Sequence, residues 1–215
     1  FNVPRHWPCF FKDMPALAIE RFDRDAHNNP LCTESLFSIL ASGISSLQSH
    51  YDYRYDYINQ AIDSSAVTIA SHSAAAKEHI FKRIIMAFLT GNGDMHLENL
   101  SIINHNENRQ FTPVYDPAPM RAYPQHDMLS VMPFGDYGEY VEKRENPVGL
   151  IEAVDRFRIS SGLSERRGAE IMGESMNATE NYASRVSHLA TVPEQNKERL
   201  IKRTSEIRNS LGTIY

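Results

Sequence analysis

The run AAAKEHIFKRIIMAFLTGNG, residues 74 to 93, constrains this chain more than any other segment. Ile80, Phe81, Ile84, Ile85, Phe88 and Leu89 recur at intervals of one, three and four, a wide apolar stripe, while Lys77, Glu78, Lys82 and Arg83 fall off it. This is a buried helix, and Gly91 stops it. The next segment has the opposite character: GNGDMHLENLS, residues 91 to 101, crowds Asp94, His96, Glu98 and Asn99 beside two glycines.

The remaining pattern is mostly helical. PALAIERF, residues 15 to 22, suits a buried strand leading into a loop, and TESLFSILASG, from Thr33, a short helix. Residues 50 to 65 space Tyr51, Tyr55, Ile58 and Ile62 on one helical face, with Tyr53 and Tyr57 flanking it; packing explains this tyrosine cluster better than an aromatic binding platform. LSII and FTPVY read as two strands of a hairpin joined by the longer loop HNENRQ. Residues 117 to 146 lack periodicity and predict an irregular, ordered loop region. Asn146 and Pro147 then cap a helix, Ser164 starts a long one running to Ala190, and Pro193 opens a final charged helix whose basic residues read as a solvated face.

Composition narrows the function classes. A formal charge of −5 argues against a protein devoted to nucleic acid, and no apolar run reaches membrane length. Cys9 and Cys32 are the two cysteines, and the reading is a reducing, cytoplasmic compartment. The chain opens on Phe1, without an initiator Met, as a piece of something longer or a trimmed chain would.

Phosphoryl transfer needs a carboxylate aimed at the acceptor hydroxyl and oxygen ligands that hold Mg²⁺ against nucleotide phosphates. Asp94 and Asn99 could supply one of each, and a hairpin returning Asp116 to the same loop would complete the set. The same Gly, Asn and Asp residues are also ordinary turn formers, so a capped loop remains the competing reading on these residues alone. Glu98, beside Asn99, reads as facing solvent.

GNGDMHLENLS followed by TPVYD resembles the catalytic loop and metal-binding segment of HipA-family serine/threonine kinases, the toxins of bacterial toxin–antitoxin modules. AIERFDR upstream is similar to that family's segment between the two kinase lobes. The resemblance implies a mainly α, protein-kinase-like C-lobe with a short β-hairpin at the catalytic site. Residues 1–24 would close a nucleotide-binding lobe and form the hinge, and 25–215 the helical lobe, with a catalytic loop at 91–101 and a metal segment at 111–120. It further implies ATP and Mg²⁺ as cofactors, Asp94 as catalytic base, His96 in the same catalytic motif, and Asn99 and Asp116 as metal ligands. Glu20, Arg21 and Phe22 would line the adenine site, with Asp23 toward the ribose. The implied partners are a Ser or Thr on a protein substrate, an aminoacyl-tRNA synthetase in some members, and an antitoxin with a DNA-binding domain. His96 could contact phosphate or brace the loop by hydrogen bonds.

Three rival readings carry different chemistry. The G-D-x-H-x-x-N spacing also occurs in phosphoinositide kinases, although the net charge offers no encouragement for a membrane-facing surface. A non-catalytic module could dock an antitoxin or a companion chain. A metal-dependent hydrolase on Asp94, His96 and Asp116 would leave Asn99 and the ERFDR segment without a task. No glycine-rich phosphate loop precedes Glu20, and Lys12, the only lysine there, lies outside any strand pattern and reads as an exposed loop residue. This chain alone is therefore expected to bind Mg-ATP weakly or not at all, and tight binding in a calorimetric titration would contradict the reading.

Overall fold

The computed structural model describes residues 1–64, 66–138 and 148–213. The expected cap at Asn146 and Pro147 lies outside them. At the centre is a helix, Ser73–Thr90, with Ile80, Phe81, Ile84, Ile85, Phe88 and Leu89 all buried. It is α3 in chain order: β1 (His6–Phe11), β2 (Met14–Ile19), β3 (Cys32–Ser35), α1 (Leu36–Ala41) and α2 (Tyr55–Asp63) precede it, and β4 (Ser101–His105) and β5 (Asn108–Phe111) come after. The chain then runs through short 3-10 turns to α4 (Leu150–Ser160), α5 (Glu165–Ala178), α6 (Tyr182–Ser187) and α7 (Glu194–Leu211). The mainly helical fold class expected from the sequence is the one observed.

The core is aromatic. Phe81, Phe88, Phe134 and Phe157 are each essentially inaccessible, and burying such a side chain contributes about 1.5–3 kcal/mol. Phe134 lies 5.1 Å from Phe88 and 6.4 Å from Phe157 between ring centroids, so the segment around residue 134 is fixed to the core although it has no regular structure. Over residues 117–138 this bears out an irregular but ordered region; residues 139–146 of that expectation lie outside the described residues. Off the apolar face, Lys77 pairs with Asp63 at 2.7 Å, Lys82 with Glu174 at 2.9 Å and Glu78 with Arg167 at 2.6 Å, fastening α3 to α2 and α5.

Arg83 departs from the expected pattern. It is 4 % exposed, because it shares the file Ala76, Ile80, Ala87 on α3 rather than the polar side. Its guanidinium donates to the Asn99 carbonyl at 3.3 Å and the Thr112 carbonyl at 2.9 Å.

The strands also differ in detail from the sequence reading. β2 ends before Glu20 and is exposed rather than buried; it pairs with β1, a strand the sequence pattern did not reveal, through a turn at Lys12 and Asp13. Trp7, Phe10, Phe11, Met14, Leu17 and Ile19 of this hairpin are all exposed, Phe10 by 75 %. The segment from Thr33 begins as β3, and the helix starts only at Leu36, where Ser35 caps it by accepting from the Ser38 amide. α2 starts at Tyr55, leaving Tyr51 outside the helix.

The second hairpin is tighter than expected. β4 and β5 join through Asn106 and Glu107 alone, both left-handed at φ 53° and 64°, the two-residue turn whose twist matches that of the strands. The strand is therefore Asn108–Phe111 and not 111–115. Its polar residues are held because the Arg109 amide donates to Ser71 Oγ at 2.9 Å and its guanidinium to the Thr68 carbonyl at 2.7 Å. β3 pairs on the other edge of β4, giving the antiparallel order β3-β4-β5.

The long helix expected from Ser164 is broken. Ser164 does cap α5 by accepting from the Arg167 amide, but the helix stops at Ala178, where Thr179 Oγ1 bonds back to the Ser175 carbonyl at 2.8 Å. The basic residues of α7 are not simply solvated either. Arg199 and Arg203 both bind Asp127, at 2.6 and 2.8 Å, and Arg121 reaches the same carboxylate at 3.1 Å. Burial pushes the Asp127 carboxyl up, but these three cations outweigh it and hold the group below its ordinary value. Arg208 donates to Thr179 Oγ1 and to the Met176 carbonyl.

Gly91 sits where these parts meet. Its φ of 70° closes α3 in the left-handed conformation, and a Cβ there would lie 2.4 Å from Leu200 Cδ1. Gly91→Ala is expected to cost about 1–3 kcal/mol, from backbone strain and displacement of the Leu200 side chain. Gly173, exposed within α5 with nothing within 4 Å of a built Cβ, is expected to gain about 0.5–1 kcal/mol on the same change. Urea unfolding of the two variants checks both signs.

Candidate active site

The loop between α3 and β4 is shaped by its own polar groups. The Asn92 amide returns to the Ala87 carbonyl at 2.9 Å, and Asn92 Oδ1 accepts from the Asp94 amide at 3.1 Å. Asn99 Nδ2 donates to the Asp94 carbonyl at 2.6 Å, so one end of the loop is stitched to the other across five residues. Its amide oxygen is left for another partner. Tyr55, buried on α2, donates to the Met95 carbonyl, and the Leu97 amide donates to the His50 carbonyl at 3.2 Å.

His96 is buried against this frame. Its Nδ1 accepts from the Glu98 amide at 3.2 Å, so the neutral ring carries its proton on Nε2, which lies 3.7 Å from Asp94 Oδ1. Burial pushes the imidazole below its ordinary pKa, and neighbouring His50 adds to this against the opposing carboxylates of Asp94, Glu98 and Asp116. An imidazole held below its ordinary value is neutral at pH 7.

Asp116 arrives from the other side. After β5 the Thr112 amide donates to the Ser101 carbonyl at 2.9 Å, extending the pairing, and the chain reaches Asp116 in the left-handed region at φ 48°. Tyr115 anchors the approach: its hydroxyl donates to the Glu98 carbonyl at 2.5 Å and accepts from Ser101 Oγ at 2.6 Å. Asp116 and Asn99 line one cavity of about 180 Å³ together with Asn92, Met95 and Thr90. The structure therefore brings Asp94, His96, Asn99 and Asp116 into one place.

Beneath them is Arg83. Burial pulls its pKa down to about 10, so it keeps its charge at neutral pH. Its two carbonyl acceptors belong to Asn99 and Thr112, which flank the two arms carrying the candidate ligands. The sequence reading missed Arg83; the signal available was an arginine inside the apolar file Ala76, Ile80, Ala87. It also missed Tyr115 and His50, for which single-sequence pattern gives no signal.

The ERFDR segment is placed less completely. Phe22 packs on Tyr115 with centroids 5.5 Å apart, which ties the segment to the Asp116 arm. Arg21 grips Asp23 through two hydrogen bonds, and that contact, against a small burial effect, holds the Asp23 carboxyl down at about 2. Glu20 is exposed and faces Arg5 at 3.8 Å. Glu98 is exposed, as expected, but its carboxylate meets His50 Nδ1 at 3.3 Å. On the outer side of the loop, Tyr51 packs edge-on against His96 at 5.1 Å and lines a cleft of about 920 Å³ with Asp52, Tyr53 and Tyr57. Tyr55 is core, so the packing explanation holds for it, whereas Tyr51 and Tyr57 stay exposed by 44 % and 46 %.

An amide oxygen and a carboxylate facing one small cavity form an all-oxygen donor set, which suits the hard Mg²⁺ ion. No helix among the described residues is long and apolar enough to cross a membrane.

Comparison with known proteins gives this geometry a context. A Haemophilus influenzae protein named "Putative kinase" is 32% identical over 117 residues, 51% of this chain and 32% of the relative. A similarly named relative from Sinorhizobium fredii is 31% identical over 121 residues, 55% of this chain and 24% of its own length. The chain thus spans a third or less of these relatives. Among solved structures, HipA of Shewanella oneidensis, determined with HipB and operator DNA, superposes with a TM-score of 0.70 at 16% identity, over 99% of this chain and 53% of that one. The proinflammatory kinase CtkA of Helicobacter pylori gives 0.64 at 14%, over 99% and 75%. At such identities the likeness is one of fold. The family model of the HipA-like C-terminal domain matches residues 1–183, most of the chain. The chain belongs to the HipA-like C-terminal domain family.

Proposed function

We propose that this chain is the catalytic lobe of a HipA-like protein kinase, which transfers the γ-phosphate of ATP to a Ser or Thr hydroxyl of a protein. The observation that carries the reading is the convergence of Asp94 with the cavity shared by Asn99 and Asp116, two arms fixed by Arg83 and Tyr115. In it, Asp94 accepts the proton of the acceptor hydroxyl, and Asn99 and Asp116 hold Mg²⁺. The metal, when bound, neutralises charge on the nucleotide phosphates. His96, neutral and engaged at Nδ1 by the Glu98 amide, braces the loop and keeps Asp94 in place. Glu20, Arg21, Phe22 and Asp23 form the edge against which the adenine and ribose would lie, with Phe22 positioned through Tyr115.

The division at about residue 24 belongs to the same reading. Residues 1–24 would be the margin of a nucleotide-binding lobe, which fits the bare apolar faces of the β1–β2 hairpin, since an isolated two-stranded sheet is marginal in water. The cleft beside Tyr51 and Asp52 supports a polypeptide acceptor, because it opens next to His96 and Asp94 and is far larger than one hydroxyl requires. A HipB-type antitoxin is the partner suggested by the Shewanella complex. The cytoplasm is the compartment that fits an ATP-dependent reaction on proteins.

In the full-length protein, Asp94→Asn and Asp116→Asn are each expected to lower phosphoryl transfer to a protein acceptor at least about a hundredfold, with the unfolding midpoint unchanged. Full activity in either variant would overturn the assignment. Transfer to lipid vesicles and not to protein would favour the phosphoinositide-kinase alternative.

A further inference from the structure

His50, His96 and Glu98 place one potential ligand atom each within 4.8 Å of one another, and none of the three lines the Asn99–Asp116 cavity. We infer that these three residues form a site for a transition-metal dication of the Zn²⁺ class, separate from the proposed Mg²⁺ site. The arrangement is built rather than accidental to a mobile surface. The Leu97 amide bonds the His50 carbonyl at 3.2 Å, so the segment bearing His50 is tied to the loop bearing His96 and Glu98. The two imidazoles lie 4.3 Å apart between centroids, and Glu98 already meets His50 Nδ1 at 3.3 Å.

The donor chemistry selects the ion. Two imidazoles and a carboxylate match the three-ligand Zn²⁺ sites that keep a fourth position open, whereas Mg²⁺ prefers oxygen alone. Zinc bonds of about 2.0–2.2 Å would draw the ligand atoms to roughly 3.3 Å from one another. The exposed Glu98 side chain and the half-buried His50 ring can supply that contraction by rotating, while buried His96 stays where it is. Solvent reaches the cluster from the Glu98 side.

Occupation has a consequence for the loop. His96 Nε2 is 3.7 Å from Asp94 Oδ1, so a dication on His96 places positive charge beside the Asp94 carboxylate and weakens it as a proton acceptor. That consequence rests on the reading of Asp94 as the base; the binding itself does not.

The test is calorimetric titration of ZnCl₂ into the metal-stripped protein, in excess Mg²⁺ and without nucleotide. Expected is a saturable event of about one equivalent. It should weaken at least about tenfold in His50→Ala and in Glu98→Gln, and stay unchanged in Asp116→Asn and in His72→Ala, which lies outside the cluster. Glu98 is exposed, so its variant reports on ligation even if His50→Ala disturbs packing. Absence of saturable binding, or equal affinity in wild type and Glu98→Gln, overturns the site. Loss of binding in Asp116→Asn would mean that zinc uses the proposed Mg²⁺ residues, and also overturns it. Because no phosphoryl transfer is measured, failure here leaves the kinase reading standing, and the reverse also holds.

Discussion

One buried cation, Arg83, organises the candidate site. Arg83 lies within the central helix, loses most of its hydration, and recovers part of it by donating from its two terminal nitrogens to the carbonyls of Asn99 and Thr112, while its Nε stays buried without a partner among the described residues. An uncompensated buried charge costs several kcal/mol, so both carbonyls are held firmly to the helix. Between them lies the β4–β5 hairpin, which leaves the loop at Asn99 and returns toward Asp116. The face of Phe111, with its ring centre 6.0 Å from the guanidinium, and the hydroxyl ring of Tyr115, which raises the Arg83 pKa against burial, add to the same attachment. Residues seventeen apart in sequence thereby border one cavity.

The polar loop is then a product of the apolar helix beneath it. Gly91 ends α3 by turning left-handed under Leu200 of α7, and Asn92, Asp94 and Asn99 close the loop on itself. Because the framework is fixed by core packing and by hydrogen bonds to backbone groups, the Asp94 and Asp116 carboxylates and the Asn99 amide oxygen are left for the phosphoryl transfer proposed above. This is the preorganisation that electrostatic catalysis demands. His96 belongs to the framework by its Nδ1 contact and to the functional groups by its Nε2 neighbourhood.

Much of this could be read from sequence. The spacing of apolar residues from Ile80 to Leu89 announced α3, and the segment from Gly91 to Ser101 announced itself by the polarity packed behind it. The hairpin returning to Asp116 was legible in outline, but its register was not: left-handed Asn106 and Glu107 allow a turn of two residues, and support from the Ser71 hydroxyl and the Thr68 carbonyl makes a strand of the polar Asn108–Phe111 segment. β1 and β3 escaped because short exposed strands carry little periodicity, and the partner of β3 lies far along the chain in β4. Arg83 escaped because a charged residue beside Lys82 suggests solvent, while its energetic role depends on two carbonyls sixteen and twenty-nine residues away. The acidic–basic cluster on Asp127 was hidden for the same reason, since it joins α7 to a loop without regular structure.

The dependence of the site on Arg83 is tested most directly by amide hydrogen exchange in Arg83→Met, a change that keeps the apolar stem and removes both donors. The prediction is faster exchange concentrated at residues 94–101 and 111–116, with protection in α5 and α7 retained. Unchanged exchange in those two segments would contradict the claim that the buried guanidinium holds the 91–101 loop and the Asp116 arm together.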